Sequence, residues 1–252
     1  HLNSVTISDA QMNLVLEDRK VPVDGDTTTD NLSRIFRLKK PQGKKEKSDK
    51  ELFHIRHVAI DGMGFSMKDY DSSRIPYNGG INWNDLDIKG IQLTADDLKF
   101  KGGVMYGQAH HLSFSERSGF TAEDMSGKVQ VGNGKTVIED MSIKDGNSDL
   151  SLPLFMMSYE NAKAFQDFMK KVKLDAKISE SQLALKTLSH FIPELEGKDL
   201  ALAVSGNISG TVADFTVADL RFASGNDQVA GRVNGVVRGL PEVRNTSLDL
   251  KV

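Results

Sequence analysis

Gly132-Asn-Gly-Lys-Thr136 ends like a phosphate-binding loop. Such a loop converges backbone N–H groups and a helix N-terminus on the phosphates, and it needs a glycine five positions before its second one. Val129 stands at that position, and the residues that follow, Val137-Ile-Glu-Asp-Met-Ser-Ile143, alternate as a strand does. A hairpin turn is the expectation. Asp145-Gly-Asn-Ser-Asp149 places oxygen side chains at alternate positions, as a calcium loop does. Leu150 and Met156 occupy the positions of that loop's glycine and bidentate glutamate, so a turn is again the better reading.

The histidines give the same answer. His54 and His57 lie three apart and His110 and His111 are adjacent, spacings that put neither pair on one face of a strand. With no cysteine and no His-Glu-x-x-His pattern, surface histidines are expected and no metal site. No Gly-x-Ser-x-Gly elbow offers a nucleophile, and the carboxylates are scattered through turns, where Asp has conformational reasons to sit. No catalytic residue, no cofactor and no enzymatic activity are expected.

The formal net charge of -3, from 32 basic and 35 acidic side chains among 252 residues, provides no broad positive field, so nucleic acid is not an expected partner. The absence of cysteine removes any disulfide framework. Hydrophobic residues make up 38% and the mean hydropathy is -0.35, low for a compact globule and compatible with a thin or extended architecture. No run approaches the roughly 18 to 20 apolar residues that span a bilayer, and residues 1–10 lack a signal-peptide pattern. The sequence starts without Met inside a strand-like alternation (Leu2, Val5, Ile7) and stops on another (Leu248, Leu250, Val252). It reads as a segment of a longer protein whose anchor lies elsewhere.

The elements that must position any site are strands. Apolar and polar residues alternate in short runs separated by Gly, Asn, Asp and Ser, the pattern of half-buried antiparallel strands. Val5 and Ile7 with Met12, Leu14 and Leu16 are expected to form a first pair; Phe53, Ile55, Val58 and Ile60 with Phe65 and Met67 form a second. A weak repeat of strand, Asp/Gly-rich turn and strand joins residues 58–65, 86–93 and 141–150, which argues for stacking along an axis. Inward glycines such as Gly206, Gly210, Gly231 and Gly235 suggest coiling or close approach.

Two segments break the pattern. A helix capped by Ser158 is expected to carry Ala162, Phe165, Phe168, Met169 and Val172 on one side, packed on the sheet rather than on a membrane surface. A second turn of helix is expected over Lys186–Ile192, stopped by Pro193. The chain then divides into leading strands (1–38), a lysine-rich mobile loop (39–50) read as solvated rather than lipid-binding, a β meander (51–157), a helical insertion with a strand (158–195) and a second meander (196–252).

In order, Ser118-Gly-Phe120, Ile138-Glu-Asp-Met-Ser-Ile143, Asp149-Leu-Ser-Leu152, Tyr159 with Phe165 and Phe168, Ser181-Gln-Leu-Ala-Leu185, Phe191-Ile-Pro-Glu-Leu195, Val204-Ser-Gly-Asn-Ile-Ser-Gly210 and Gly239-Leu-Pro241 follow one another. Together they resemble the TamB-like (translocation and assembly module) branch of the AsmA-like envelope proteins, Bacteroidetes type, over about residues 50–252. The resemblance implies a mainly β fold: an elongated, curved antiparallel sheet shaped as a trough, with one amphipathic helix and a short second one. It also implies a place in the periplasm of the cell envelope, within a parent protein anchored in the inner membrane. The function implied is transport of lipid between membranes and outer-membrane biogenesis, with phospholipid acyl chains sheltered in the groove. A role in outer-membrane protein assembly or secretion, by pairing of sheet edges with β-barrel strands, is the alternative. The residues expected to line such a groove are Leu200, Leu202, Val204, Ile208 and Val212, with Val229, Val233 and Val237.

Overall fold

The computed structural model describes residues 1–16, 51–70, 80–160, 164, 167–225, 229–240 and 246–251; the lysine-rich stretch 39–50 lies outside them. The strands are β1 (Leu2–Ser8), β2 (Gln11–Leu16), β3 (Glu51–Asp69), β4 (Asp85–Lys101), β5 (Val104–Glu116), β6 (Thr121–Gly132) and β7 (Lys135–Lys144). They continue as β8 (Asp149–Ser158), β9 (Lys173–Ala184), β10 (Ala201–Thr211), β11 (Asp214–Ser224), β12 (Ala230–Arg238) and β13 (Ser247–Lys251). All belong to one open, curved sheet in which every strand from β3 onward neighbours the next, as the alternation predicts.

The first expected pair does not form. β1 and β2 lie end to end along the same edge of β3 and run parallel to it, with Val5 beside Val58 and Leu14 beside Met67. A parallel return needs a crossover of a dozen residues or more, and residues 17–50 supply that length.

The second expected pair is also corrected, because residues 51–69 make one strand of 19 residues rather than a hairpin. Residues 85–101 likewise form one strand of 17 residues. Gly62 (φ +71°) and Gly90 (φ +62°) are bulges within these strands, where the register shifts, and not turns between them. A glycine in the left-handed region inserts an extra residue while the ladder continues beyond it, bending the strand and adding twist. Of the three repeat units only residues 141–150 enclose a true turn, at 145–148. The expected hairpin is present at Asn133 and Gly134, both with positive φ, closing Gly132 onto Lys135.

The described helices depart from the expected bounds. Ser158 ends β8, pairing with Lys135 and Lys173, and the described helix α1 spans only Phe168–Lys171. Ala162 and Phe165 lie outside the described residues. Helix α2 covers Leu185–Ser189, and Pro193 begins a separate 3-10 turn, Pro193–Leu195, rather than terminating α2.

Both helical segments are tied to turns of the sheet. The one carrying α1 leaves from the end that holds the β6–β7 and β10–β11 turns, tied by Tyr159 N–H to Gly134 O (2.9 Å) and Ala213 N–H to Met169 O (2.9 Å). The one carrying α2 leaves from the opposite end. Its Thr187 hydroxyl donates to the Asp145 carboxylate and meets the Ser148 hydroxyl at 2.6 Å, while Ser148 Oγ accepts from Ala184 N–H at 3.0 Å. All three polar side chains are buried. The two segments meet on Trp83: its ring stacks on Phe168 (4.9 Å between centroids, 14°) and lies 6.4 Å from Phe191, which in turn contacts Phe120 at 5.7 Å. Phe120 reaches Phe114 of β5 at 6.1 Å, so the aromatic cluster joins both segments to the sheet.

Candidate functional site

Side chains on alternate residues of neighbouring strands align into rungs, and here the rungs on one face are apolar almost without interruption. One runs Phe53, Phe100, Met105, Val131, Thr136, Met157, Leu174, Gly210, Phe215, Val237 from β3 to β12. A second runs Gly107, Val129, Ile138, Phe155, Ala176, Ile208, Val217, Gly235. Such continuity requires every bulge to restore the parity of the apolar residues. Asp219, at φ +51°, does this on β11: it lets Val217 and Leu220, three apart, face the same side.

Among the described residues the buried apolar side chains are Ala122, Met141, Leu152, Ala164, Val172, Ala184, Val204, Val217 and Val233. Of the other rung residues Thr136 is buried, Phe53 and Met105 are exposed and the rest are half-buried. The face is thus sealed in part by the chain's own aromatic cluster and open elsewhere.

The groove residues expected from the sequence divide accordingly. Leu202, Val204 and Ile208 sit on β10 and Val233 and Val237 on β12, joined through β11 by the pairs Val204–Phe222, Ile208–Val217, Leu220–Val233 and Phe215–Val237. Val204 and Val233 are buried by internal packing, whereas Leu202, Ile208 and Val237 are half-buried. Leu200, Val212 and Val229 fall outside the strands. The Leu200 carbonyl accepts from Leu185 N–H (2.8 Å), closing the α2 segment, and Val229 is exposed before β12. The inward glycine Gly231 makes room for a neighbour: a Cβ there would stand 2.7 Å from the Phe222 ring. The larger part of the face, Phe53, Phe100, Met105, Val131, Met157 and Leu174, belongs to β3–β9. Its alternation is visible in the sequence, but the rung joining these residues depends on register.

Polar side chains carry a lattice of hydrogen bonds to carboxylates. Asp96 takes His57 on one carboxylate oxygen (2.7 Å) and His110 on the other (2.9 Å), Asp97 takes His54 (2.7 Å), and Asp124 takes His111 (2.7 Å). The hydrogen bonds from His57 and then His110 hold the Asp96 carboxyl below its ordinary value, and His54, followed by Lys99, does the same for Asp97. Asp140 raises Lys128 through a 2.7 Å contact. A cleft of mixed lining, about 530 Å³, opens beside Asp149, Glu180, Gln182, Val204, Arg221 and Phe222. Two of its charged side chains are engaged, Asp149 by Lys144 (3.1 Å) and Arg221 by Asp219 (3.1 Å). His1, Glu51 and His54 form a group of metal-ligating side chains at the β1 edge. Comparison with family models, curated proteins and solved structures finds no match.

Proposed function

We propose that this chain is a non-enzymatic segment of an envelope protein that shelters lipid acyl chains along its apolar sheet face. The observation that carries the proposal is the rung from Phe53 to Val237, apolar across ten strands save Thr136 and Gly210 and only partly covered. A diacyl lipid crossing water exposes on the order of twenty methylenes at about 0.8 kcal/mol each, so a continuous apolar surface is what a carrier must offer. No reacting group is needed for that task. The resemblance of the motif order to the AsmA-like family supports a periplasmic setting and lipid transport between membranes in outer-membrane biogenesis.

Trp83, the single tryptophan, provides the test, because it lies in the cluster that borders the open face. Acyl chains should appear in an organic extract of the purified protein by mass spectrometry, and phospholipid with brominated acyl chains should quench Trp83 emission. A clean extract together with unquenched emission would overturn the proposal. The second reading, β-augmentation of outer-membrane barrel strands, is favoured by β13, which pairs with β12 alone among the described strands. Crosslinks from β13 to a barrel client, in place of bound lipid, would favour it.

A further inference from the structure

We propose that His1, Glu51 and His54 form a zinc site that clamps the edge strand β1 onto β3. The parallel register that sets Leu2 beside Ile55 brings His1 alongside His54, and Glu51 lies three residues earlier on β3. His1 Nδ1 stands 3.6 Å from Glu51 Oε1, and the rings of His1 and His54 meet edge to face at 5.6 Å. One ligand atom from each residue lies within 4.8 Å of the others.

Zinc bound tetrahedrally at about 2.0 to 2.2 Å from nitrogen and oxygen draws its donors to roughly 3.3 Å from one another. The remaining closure of about 1.5 Å is within reach of χ rotation, since the His1 side chain is 77% exposed. His54 is already oriented: Asp97 holds its Nε2 at 2.7 Å and leaves Nδ1 for the metal. A carboxylate behind a ligating imidazole fixes the ring and strengthens it as a donor. Two imidazoles and one carboxylate suit zinc better than calcium or magnesium, which take oxygen donors, and solvent completes the coordination.

The other sheet histidines also meet carboxylates, His57 and His110 at Asp96 and His111 at Asp124, but what sets His1, Glu51 and His54 apart is convergence: among the described residues they are the ligand trio whose donor atoms come together. The clamp has a structural use. Among the described strands β1 pairs with β3 alone, and its expected antiparallel partner does not form. A metal joining His1 to β3 staples that edge near Leu2.

The test is a calorimetric titration of the full chain with zinc chloride in a non-chelating buffer. One equivalent is expected to bind, with affinity falling about a hundredfold in His1→Ala and His54→Ala and about tenfold in Asp97→Asn, while His57→Ala leaves it unchanged. Cobalt should give the intense visible absorption of a tetrahedral ion, and zinc should slow hydrogen exchange of the β1 amides. His1→Ala alters an exposed side chain and keeps the fold, so a weakened affinity there cannot be ascribed to unfolding. Zinc affinity unchanged in both His1→Ala and His54→Ala, or no binding by the unaltered chain, would overturn the proposal. Either result is independent of whether acyl chains bind.

Discussion

Thr187 belongs to no motif, yet its hydroxyl donates to Asp145 and meets Ser148, a buried trio that pins α2 to the β7–β8 turn. A buried polar group deprived of its partner costs about 1–3 kcal/mol. Thr187→Val, which keeps the shape and deletes the hydroxyl, is expected to destabilise the protein by about that amount in urea unfolding. Asp219 gives a charge-based counterpart. Arg221 first, then Arg232, lower its carboxyl below the ordinary range. A depressed carboxyl contributes stability that is present above its unfolded pKa near 3.9 and is lost as pH falls through the lower folded value. The urea midpoint of Asp219→Asn should therefore lie below the native one at pH 7, with the difference shrinking below about pH 4. Asn tolerates the left-handed backbone at this position, so the comparison isolates the charge.

At the scale of elements, the segments carrying α1 and α2 are joined where Trp83 meets Phe168 and Phe191. Fully buried Trp→Ala changes cost about 3–5 kcal/mol. Trp83 is half-buried, and Trp83→Ala is expected to cost roughly 2 kcal/mol. Limited proteolysis should then cut more rapidly between α2 and β10. The α2 segment was legible from Lys186 and Pro193; its docking was not, because the Trp83 and Thr187 contacts join residues far apart in the chain. The helix expected from Ser158 shows the converse. Helical spacing of apolar residues is a local signal, and here Ser158 is taken by pairing with Lys135 and Lys173.

For the whole molecule, the open sheet presents, among the described residues, edge strands paired on one side and an apolar face that is only partly buried, features that favour contact with a further partner. If that face shelters hydrocarbon, a charge in the middle of a rung should exclude it. Met105→Asp is expected to reduce acyl-chain binding by about tenfold or more, since a carboxylate beside hydrocarbon must be desolvated. Met105 is exposed, so the melting temperature should change little. Equal quenching of Trp83 by brominated lipid in both proteins would show that the rung is not the binding surface.

The sequence by itself determined the strand content, the meander of β6–β8 and β10–β12, the hairpin at Asn133 and Gly134, and the shared parity of Leu202, Val204 and Ile208. Each follows from the two-residue period of a strand or from local turn chemistry. The tertiary structure decided that β1 and β2 run parallel to β3, that Gly62 and Gly90 bend strands rather than end them, and that His1 meets His54. Those outcomes depend on which distant strand becomes the neighbour and in what register. An Asp/Gly step has the same local preference in a turn and in a bulge, and only the strand beside it distinguishes the two.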